Sequence, residues 1–135
     1  METITLTTLV ELLLPCAPDL YLDALALEPE HPHITLTVSP RQTSVSCPLC
    51  AQLTSRIHSR YRRSLADLPW ADVAVRLSLH VRRFFCLNPD CPRAIFTERL
   101  PALVAPWARR TQRLVRHHQA VALALGGAAG ARTCR

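Results

Sequence analysis

The chain has 135 residues, of which 49% are hydrophobic, so it can bury a core and is not a disordered segment. Its formal net charge of +6 is unevenly divided: residues 1–40 hold six acidic residues and no basic one (net −6), whereas residues 41–135 hold 16 arginines against four acidic residues (net +12). No apolar run approaches the roughly 20 residues that span a bilayer, and the start lacks the basic residues of a signal peptide. We therefore expect a cytoplasmic protein, with no membrane partner and no small-molecule substrate, whose basic part binds nucleic acid.

The first segment, residues 1–44, predicts a helix followed by a β-hairpin. Five apolar residues recur at helical spacing: Leu6, Leu9, Val10, Leu13 and Leu14. Pro15 ends this helix. Two strands are predicted over residues 20–27 and 33–39, and turn-forming residues separate them. Nothing in this segment indicates catalysis.

The second segment, residues 45–96, contains two cysteine pairs, Cys47-x2-Cys50 and Cys86-x4-Cys91, with 35 residues between them. Apolar and polar residues alternate through most of that interval, which predicts a long β-hairpin that turns near residues 68–72. A thirteen-residue strand is long for so small a domain, so we expect a bend or bulge near Arg82-Arg83.

The spacing of these cysteines is typical of a structural zinc site. Each pair can form a turn that offers two thiolates, and zinc favours four thiolates in a tetrahedron. Disulfides, which need an oxidising compartment, and ordinary buried thiols are the alternatives. His58 and His80 are rival ligands, but alternation places them on the arginine-bearing strand faces. We predict one zinc ion in a zinc ribbon, held by Cys47, Cys50, Cys86 and Cys91, and no catalytic residue.

The third segment, residues 97–135, predicts a helix that starts near Pro106 and Trp107 and ends at Gly126-Gly127. A second helix is predicted to start at Ala128 and is cut off at Arg135.

Two basic surfaces are predicted outside the metal site. The hairpin presents one set: Arg56, His58, Arg60, Arg62, Arg76, His80 and Arg82. The last complete helix presents the other: Arg109, Arg113 and Arg116. A charged face is often merely solvated. Two such faces beside a zinc ribbon favour contact with the phosphates of double-stranded DNA.

The stretch "CPLC…RIHSRYRRSLADLPW…VRLSLHVRRFFCLNPDCPRAIFTERLP" resembles the N-terminal zinc-finger region of bacterial insertion-sequence transposases of the ISL-three family. The stretch "RRTQRL…LALGGAAGAR" is similar to the start of the helix-turn-helix that follows it there. The resemblance covers residues 45–132. It implies that the four cysteines bind zinc and that the chain binds the terminal inverted repeats of a mobile element, in association with the nucleoid. Ala51 and Ala71-Asp72 depart from the family, which has glycine at these turns.

The overall expectation is an α+β fold: a zinc ribbon with a long β-hairpin, preceded by a helix and a β-hairpin and followed by a helix with an incomplete helix-turn-helix. Members of the resembled family continue into a catalytic domain that binds divalent metal, and this chain stops before it. We therefore expect no transposase activity from this polypeptide alone. The alternative function is a protein-interaction module that docks on intact transposase, or on another copy of itself, as a regulator or inhibitor. The hypothesis that the chain is an enzyme, with a cysteine nucleophile or an open zinc site, has the least support, because no histidine base or acidic group accompanies the cysteines.

Overall fold

The computed structural model describes residues 4–15, 17–126, 128 and 132. This part of the chain has an α+β fold, as predicted. Its elements are α1 (Leu6–Leu13), a 3₁₀ turn (Ala17–Asp19), β1 (Leu20–Glu28), β2 (His33–Pro40), β3 (Val45–Ser46), β4 (Leu53–Thr54), β5 (Ile57–Trp70), β6 (Val73–Phe85), β7 (Ile95–Thr97) and α2 (Gln112–Leu125). Neither α1 nor α2 is long and apolar enough to cross a membrane.

Helix α1 forms where the apolar spacing predicted it. The Thr5 hydroxyl accepts a hydrogen bond from the Thr8 backbone N–H at 3.2 Å and caps the first turn. Leu14 has extended backbone angles, as expected for a residue that precedes proline. Val10 and Leu14 are buried in the main core, while Leu6, Leu9 and the other outward leucines stay exposed.

One sheet joins the predicted first hairpin to the predicted long hairpin. Its strand order is β1-β2-β6-β5, and β7 pairs with the end of β6. Strands β1 and β2 are antiparallel, which confirms the first hairpin, whereas β2 runs parallel to β6 with Leu36 opposite Leu77. The sheet thus crosses the boundary predicted between residues 44 and 45, and the division of the chain into three domains stays a prediction.

The long hairpin of β5 and β6 is also confirmed. Strand β6 is continuous over 13 residues, and the irregularity expected near Arg82-Arg83 lies at the same level but in the neighbouring strand. There Ile57 pairs with Phe84 and Ser59 with Arg83, so His58 is the extra residue of a bulge. At the hairpin turn Ala71 has φ 53°, in the left-handed region.

Two apolar cores lie on opposite faces of the sheet. The main core contains Leu77 and Leu79 of β6, packed with residues of α1, β1, β2 and the segment at 103–104. The second core contains Phe84, stacked on Phe96 at 6.1 Å between ring centroids, with Val45 and Cys47. Because side chains alternate along β6, Phe84 points away from the face that carries Leu77 and Leu79. The cysteine-bearing region therefore packs on the face opposite the main core.

The start of the last helix was predicted wrongly. Helix α2 begins at Gln112, with the Thr111 hydroxyl as its cap, and Trp107 lies in a preceding turn with φ 65° and 96% of its surface exposed. The segment just before the helix instead pairs with β5: the Ala66 N–H donates to the Arg109 carbonyl at 2.9 Å, and the Thr111 N–H donates to the Ala66 carbonyl at 3.0 Å. This pairing keeps residues 109–111 extended, so the helix cannot start earlier.

The end of α2 agrees with the prediction, because Gly126 forms the cap with φ 64°. The predicted second helix lies outside the described residues apart from Ala128 and Arg132, and the helix-turn-helix stays a prediction.

Candidate metal centre and basic surfaces

The first cysteine pair lies in a tight turn between β3 and β4. The Cys47 N–H donates to the Gln52 carbonyl at 3.0 Å, and the Ala51 N–H donates to the Cys47 carbonyl at 2.9 Å. Ala51 itself has φ 62°, a conformation that favours glycine. This is the position at which the resembled family carries glycine, so the turn is kept although the residue differs.

We expect that replacing Ala51 with glycine stabilises the chain by up to about 1 kcal/mol, because glycine relieves the left-handed strain of roughly 1–2 kcal/mol but loses more entropy on folding. Urea unfolding of the zinc-loaded chain measures this change. Ala94 is an exposed alanine without a left-handed backbone, so glycine there is the control and should give no gain. Equal effects of the two substitutions would show that the turn at Ala51 is unstrained.

The second cysteine pair lies between β6 and β7. The Cys86 N–H donates to the Ala94 carbonyl at 2.9 Å, and the Cys91 N–H donates to the Asn88 carbonyl at 3.1 Å. The Asn88 side chain accepts from the Asp90 N–H at 3.0 Å, which is the local bonding expected of asparagine in a turn. Pairing of β7 with the end of β6 closes this second turn.

The four thiols converge on one point. The sulfur atoms of Cys47, Cys50, Cys86 and Cys91 all lie within 4.8 Å of one another. Two separations are 3.9 Å (Cys47 to Cys91) and 3.5 Å (Cys50 to Cys86), far longer than the roughly 2.05 Å of a disulfide. Four sulfurs at about 2.3 Å from a tetrahedral zinc ion lie roughly 3.8 Å apart. The set therefore fits zinc. Cys16 and Cys134, which the spacing leaves outside the site, fall outside the described residues.

Backbone donors, burial and neighbouring thiols shift the pKa values of these thiols in different directions. The backbone N–H of Cys50 donates to Cys47 and, against the effect of burial, lowers the pKa of Cys47 to about 6. The backbone N–H of Asn88 lowers the pKa of Cys86, but burial and the neighbouring thiols outweigh it and raise that pKa to about 12. Four adjacent thiolates repel one another unless a divalent ion lies between them. The chemistry of this donor set is therefore that of a metal site.

Comparison with known families agrees with this geometry. Residues 43–91 match the family model of the zinc-finger of transposase IS204/IS1001/IS1096/IS1165. The resemblance to the ISL-three zinc-finger region is thereby confirmed over these residues, which contain all four cysteines and the long hairpin. No curated protein and no solved structure gives a match. Residues 43–91 are thus similar to a transposase zinc-finger domain, and the four-cysteine metal site lies within them.

Part of the basic surface predicted for the hairpin is brought together on one face of the β5–β6 hairpin. In the register of β5 and β6, Arg60 lies opposite Arg82, Arg62 opposite His80, and Ala66 opposite Arg76. Directly opposed residues share a sheet face. Arg60, Arg62 and Arg76 are exposed and His80 is half-buried. We call these four residues the basic sheet face; their contact with DNA stays a prediction.

Two other residues of the basic surface predicted for the hairpin lie elsewhere. Arg56 lies over the ring of Phe85 at 4.9 Å, and the His58 ring meets the same ring edge-on at 5.0 Å. Alternation along β6 places Phe85 on the face opposite Arg82. The bulge at His58 therefore separates Arg56 and His58 from the basic sheet face.

Arg82 shares the face but makes a structural ion pair. Its Nε donates to Glu98 Oε1 at 2.9 Å and one terminal nitrogen donates to Glu98 Oε2 at 2.8 Å and to the Gln42 carbonyl at 2.7 Å. The Glu98 side chain is fully buried. Because its guanidinium is engaged on this carboxylate, we leave Arg82 out of the proposed DNA contacts.

The three arginines predicted to share one face of the last helix have different surroundings in the structure. Arg109 precedes the helix and is exposed, and Arg116 is exposed on α2. Arg113 pairs with the buried carboxylate of Asp67 on β5 and also donates to the Leu13 carbonyl at 2.8 Å. Of the three predicted arginines, only Arg109 and Arg116 are thus exposed. Arg110, which follows Arg109 and is also exposed, was not among the predicted residues.

Proposed function

We propose that this chain binds double-stranded DNA at the ends of a mobile element, through the basic sheet face, with one structural zinc ion holding the cysteine turns in place. The observation that carries the proposal is the basic sheet face itself. The guanidinium groups of Arg60, Arg62 and Arg76 make no hydrogen bond or ion pair with any residue that the structure describes. Their charges are therefore available to phosphates.

The dimensions of this face suit a duplex. Six residues of β5 separate the level of Arg60 from that of Ala66 and Arg76, a distance of about 20 Å at roughly 3.4 Å per residue. That length equals the rise of roughly six base pairs at 3.4 Å each. Arginine adds planar, bidentate geometry toward phosphate and guanine.

We expect the double substitution Arg60→Gln and Arg62→Gln to weaken duplex binding at least tenfold at low salt, because two phosphate contacts are lost. The slope of log affinity against log salt should become shallower by about 2, since each contact releases close to one counter-ion. Fluorescence anisotropy with a labelled duplex at several salt concentrations measures both quantities. A duplex with a terminal inverted repeat, compared with a shuffled one, tests the target.

The matched control is the pair Arg83→Gln and Arg99→Gln, which removes the same charge. Alternation places Arg83 on the other sheet face, where it lies over Tyr61, and Arg99 follows β7. This control should keep the wild-type salt slope. Identical slopes for both double variants would place DNA contact outside the basic sheet face.

We further propose that this part of the chain binds and does not catalyse. Asp67 and Glu98 are each buried in an ion pair with arginine, which leaves them unsuited to hold a catalytic metal ion. Four cysteines complete a tetrahedral zinc site and leave no open position for substrate. Incubation of the zinc-loaded chain with labelled duplex and Mg²⁺ or Mn²⁺ tests this, and strand cleavage would refute it.

A protein-interaction module is the second candidate, and the exposed apolar side chains of α1 favour it. Leu6 and Leu12 are 76% and 67% exposed, and Leu9 and Leu13 nearly half exposed. Such a patch on a small domain is typical of a contact surface. If docking on intact transposase is the function, the Arg60→Gln, Arg62→Gln variant should still co-assemble with it, while Leu6→Ser, Leu12→Ser should not.

A further inference from the structure

A cleft of about 880 Å³ lies between α2, the β1–β2 turn and the end of the β5–β6 hairpin. Its described lining concentrates nitrogen bases and cations: His31, His33, His117, His118, Arg76 and Arg110. The metal centre uses none of these residues, and the basic sheet face uses only Arg76. Four histidines from two distant stretches of the chain thus meet at one surface depression.

The charge of the cleft is positive. Among its described lining residues Asp67 is the one carboxylate, and its side chain is fully buried. That carboxylate accepts from the Thr111 hydroxyl at 2.7 Å and from Arg113 Nε at 2.8 Å, so its charge is already compensated. Arg76 and Arg110 have no such acidic partner in the described part of the chain. Their two charges therefore dominate the depression.

The cationic groups are held in place by backbone contacts. Arg109 and Thr111, on either side of Arg110, hydrogen-bond to the N–H and the carbonyl of Ala66, and this pairing fixes the Arg110 backbone against the edge of β5. His33 Nδ1 lies 2.9 Å from the His31 carbonyl, and because a carbonyl only accepts, Nδ1 carries the hydrogen. In a neutral ring Nε2 is then an acceptor, so His33 is not counted among the donors to an anion. Burial lowers the pKa of His118, and the charges of Arg110 and His117 lower it further, which agrees with a positive field.

A metal ion and an anion are the two ligands that such a lining suggests. Imidazoles bind transition metals, but two arginines beside them repel a cation. The imidazoles are also not gathered for coordination: within the described ranges, only the four cysteines form a group of three or more residues whose ligand atoms all lie within 4.8 Å of one another. An anion is attracted by the two arginines and does not need several imidazoles within coordination distance. Arginine and histidine side chains are typical phosphate-binding groups.

We propose that this cleft binds a phosphate group, with Arg76 and Arg110 as the principal donors and His117 as an additional one. We take the phosphodiester backbone of DNA as the natural source of this phosphate group, and that choice rests on the proposed function. The position supports that source, because Arg76 belongs to both surfaces and lies opposite Ala66, the residue that holds the Arg109–Thr111 backbone. A duplex that follows the basic sheet face would thus reach Arg110 at the end of the hairpin.

Phosphate binding is tested directly on the zinc-loaded full chain with tripolyphosphate as the probe. Imidazole and arginine Nε signals are followed by NMR in isotope-labelled protein. We expect saturable shifts for His117 and Arg110, and at least fivefold weaker binding in Arg110→Gln and in Arg76→Gln. Arg99→Gln is the matched control and should bind as the wild type does. Absence of saturation, or equal affinity in all variants, overturns the proposal, as does uptake of a second zinc ion that His33→Ala and His117→Ala abolish.

A parallel duplex titration separates this proposal from the proposed function. Arg110→Gln should also make the salt slope of duplex binding shallower by about 1. If tripolyphosphate binds in the cleft but no duplex binds, the cleft takes free phosphate and the proposed function fails. If duplex binding depends on Arg60 and Arg62 while Arg110→Gln changes neither titration, the cleft proposal fails and the proposed function stands.

Discussion

Replacing Cys86 with serine is expected to abolish zinc binding and to unfold the cysteine-bearing region over residues 43–91. The second core around Phe84 is small, so the two cysteine turns depend on the ion to stay together. Apparent zinc-binding energies of roughly 10–16 kcal/mol in such modules are also folding energies. Elemental analysis of protein purified without added metal, with circular dichroism before and after chelation, measures both losses. The wild type should contain one zinc per chain and lose structure with it.

The control for this experiment is Cys134→Ser, because Cys134 belongs to neither of the two closely spaced cysteine pairs that form the metal site. That variant should keep zinc and the wild-type melting temperature. A Cys86→Ser chain with the native spectrum and no zinc would contradict the prediction and would mean that the cysteines are incidental to the fold.

Zinc retention should also fall as the pH is lowered. The ligands bind as thiolates, so protons compete with the ion for every sulfur. The N–H of Cys50 holds the pKa of Cys47 at about 6, so Cys47 resists protonation better than an ordinary thiol. The pKa of Cys86 is raised, so Cys86 needs the ion in order to lose its proton. Acidification therefore releases metal, and the loss should coincide with unfolding when zinc and circular dichroism are followed in one titration.

Replacing Glu98 with glutamine is expected to destabilise the chain by about 3 kcal/mol, at the lower end of the range for breaking a buried ion pair. The Glu98 carboxylate is fully buried and accepts from the Arg82 backbone, the Arg82 guanidinium and Gln42. Without its charge, the largely buried guanidinium of Arg82 has no counter-ion. Because 16% of the Arg82 side chain stays exposed, solvent reduces the penalty. Urea unfolding of the zinc-loaded chain measures it.

Two further variants show whether the loss comes from the ion pair. Asp72→Asn removes an exposed carboxylate at the hairpin turn and should change stability by less than about 0.5 kcal/mol. The double variant Glu98→Gln, Arg82→Met should recover part of the loss, since it removes both charges together. Strict additivity of the two substitutions would argue against a coupled pair.

The parts of this fold that were predicted correctly depend on local patterns. Alternation placed Arg60, Arg62 and Arg76 on one face, and cysteine spacing with turn residues located the metal centre. The parallel pairing of β2 with β6 is not local, because any two strands with apolar faces could pair. The start of α2 was missed for a similar reason: Pro106 suits a first helical turn, but the pairing of residues 109–111 with Ala66 is a contact between distant segments.

The buried ion pairs were missed because alternation gives the direction of a side chain and not its partner. Arg82 meets Glu98 16 residues later, and Arg113 meets Asp67 46 residues earlier. One signal was available: Asp67 occupies the same strand face as Leu65, two residues before it, and a carboxylate at an apolar position of an alternating strand needs a cationic partner. The sequence alone could not show whether that partner was Arg113 or a neighbouring arginine.

Strand β6 links events at the metal to residues that never contact it. The same thirteen residues carry Leu77 toward the main core and Phe84 toward the cysteine turns, and they hydrogen-bond to three other strands. Fraying of this strand from its cysteine end would first release β7 and then the hydrogen bonds beneath His80 and Arg62. Amide exchange at those positions should therefore report whether zinc is bound, because the ion restrains the strand that carries part of the basic sheet face.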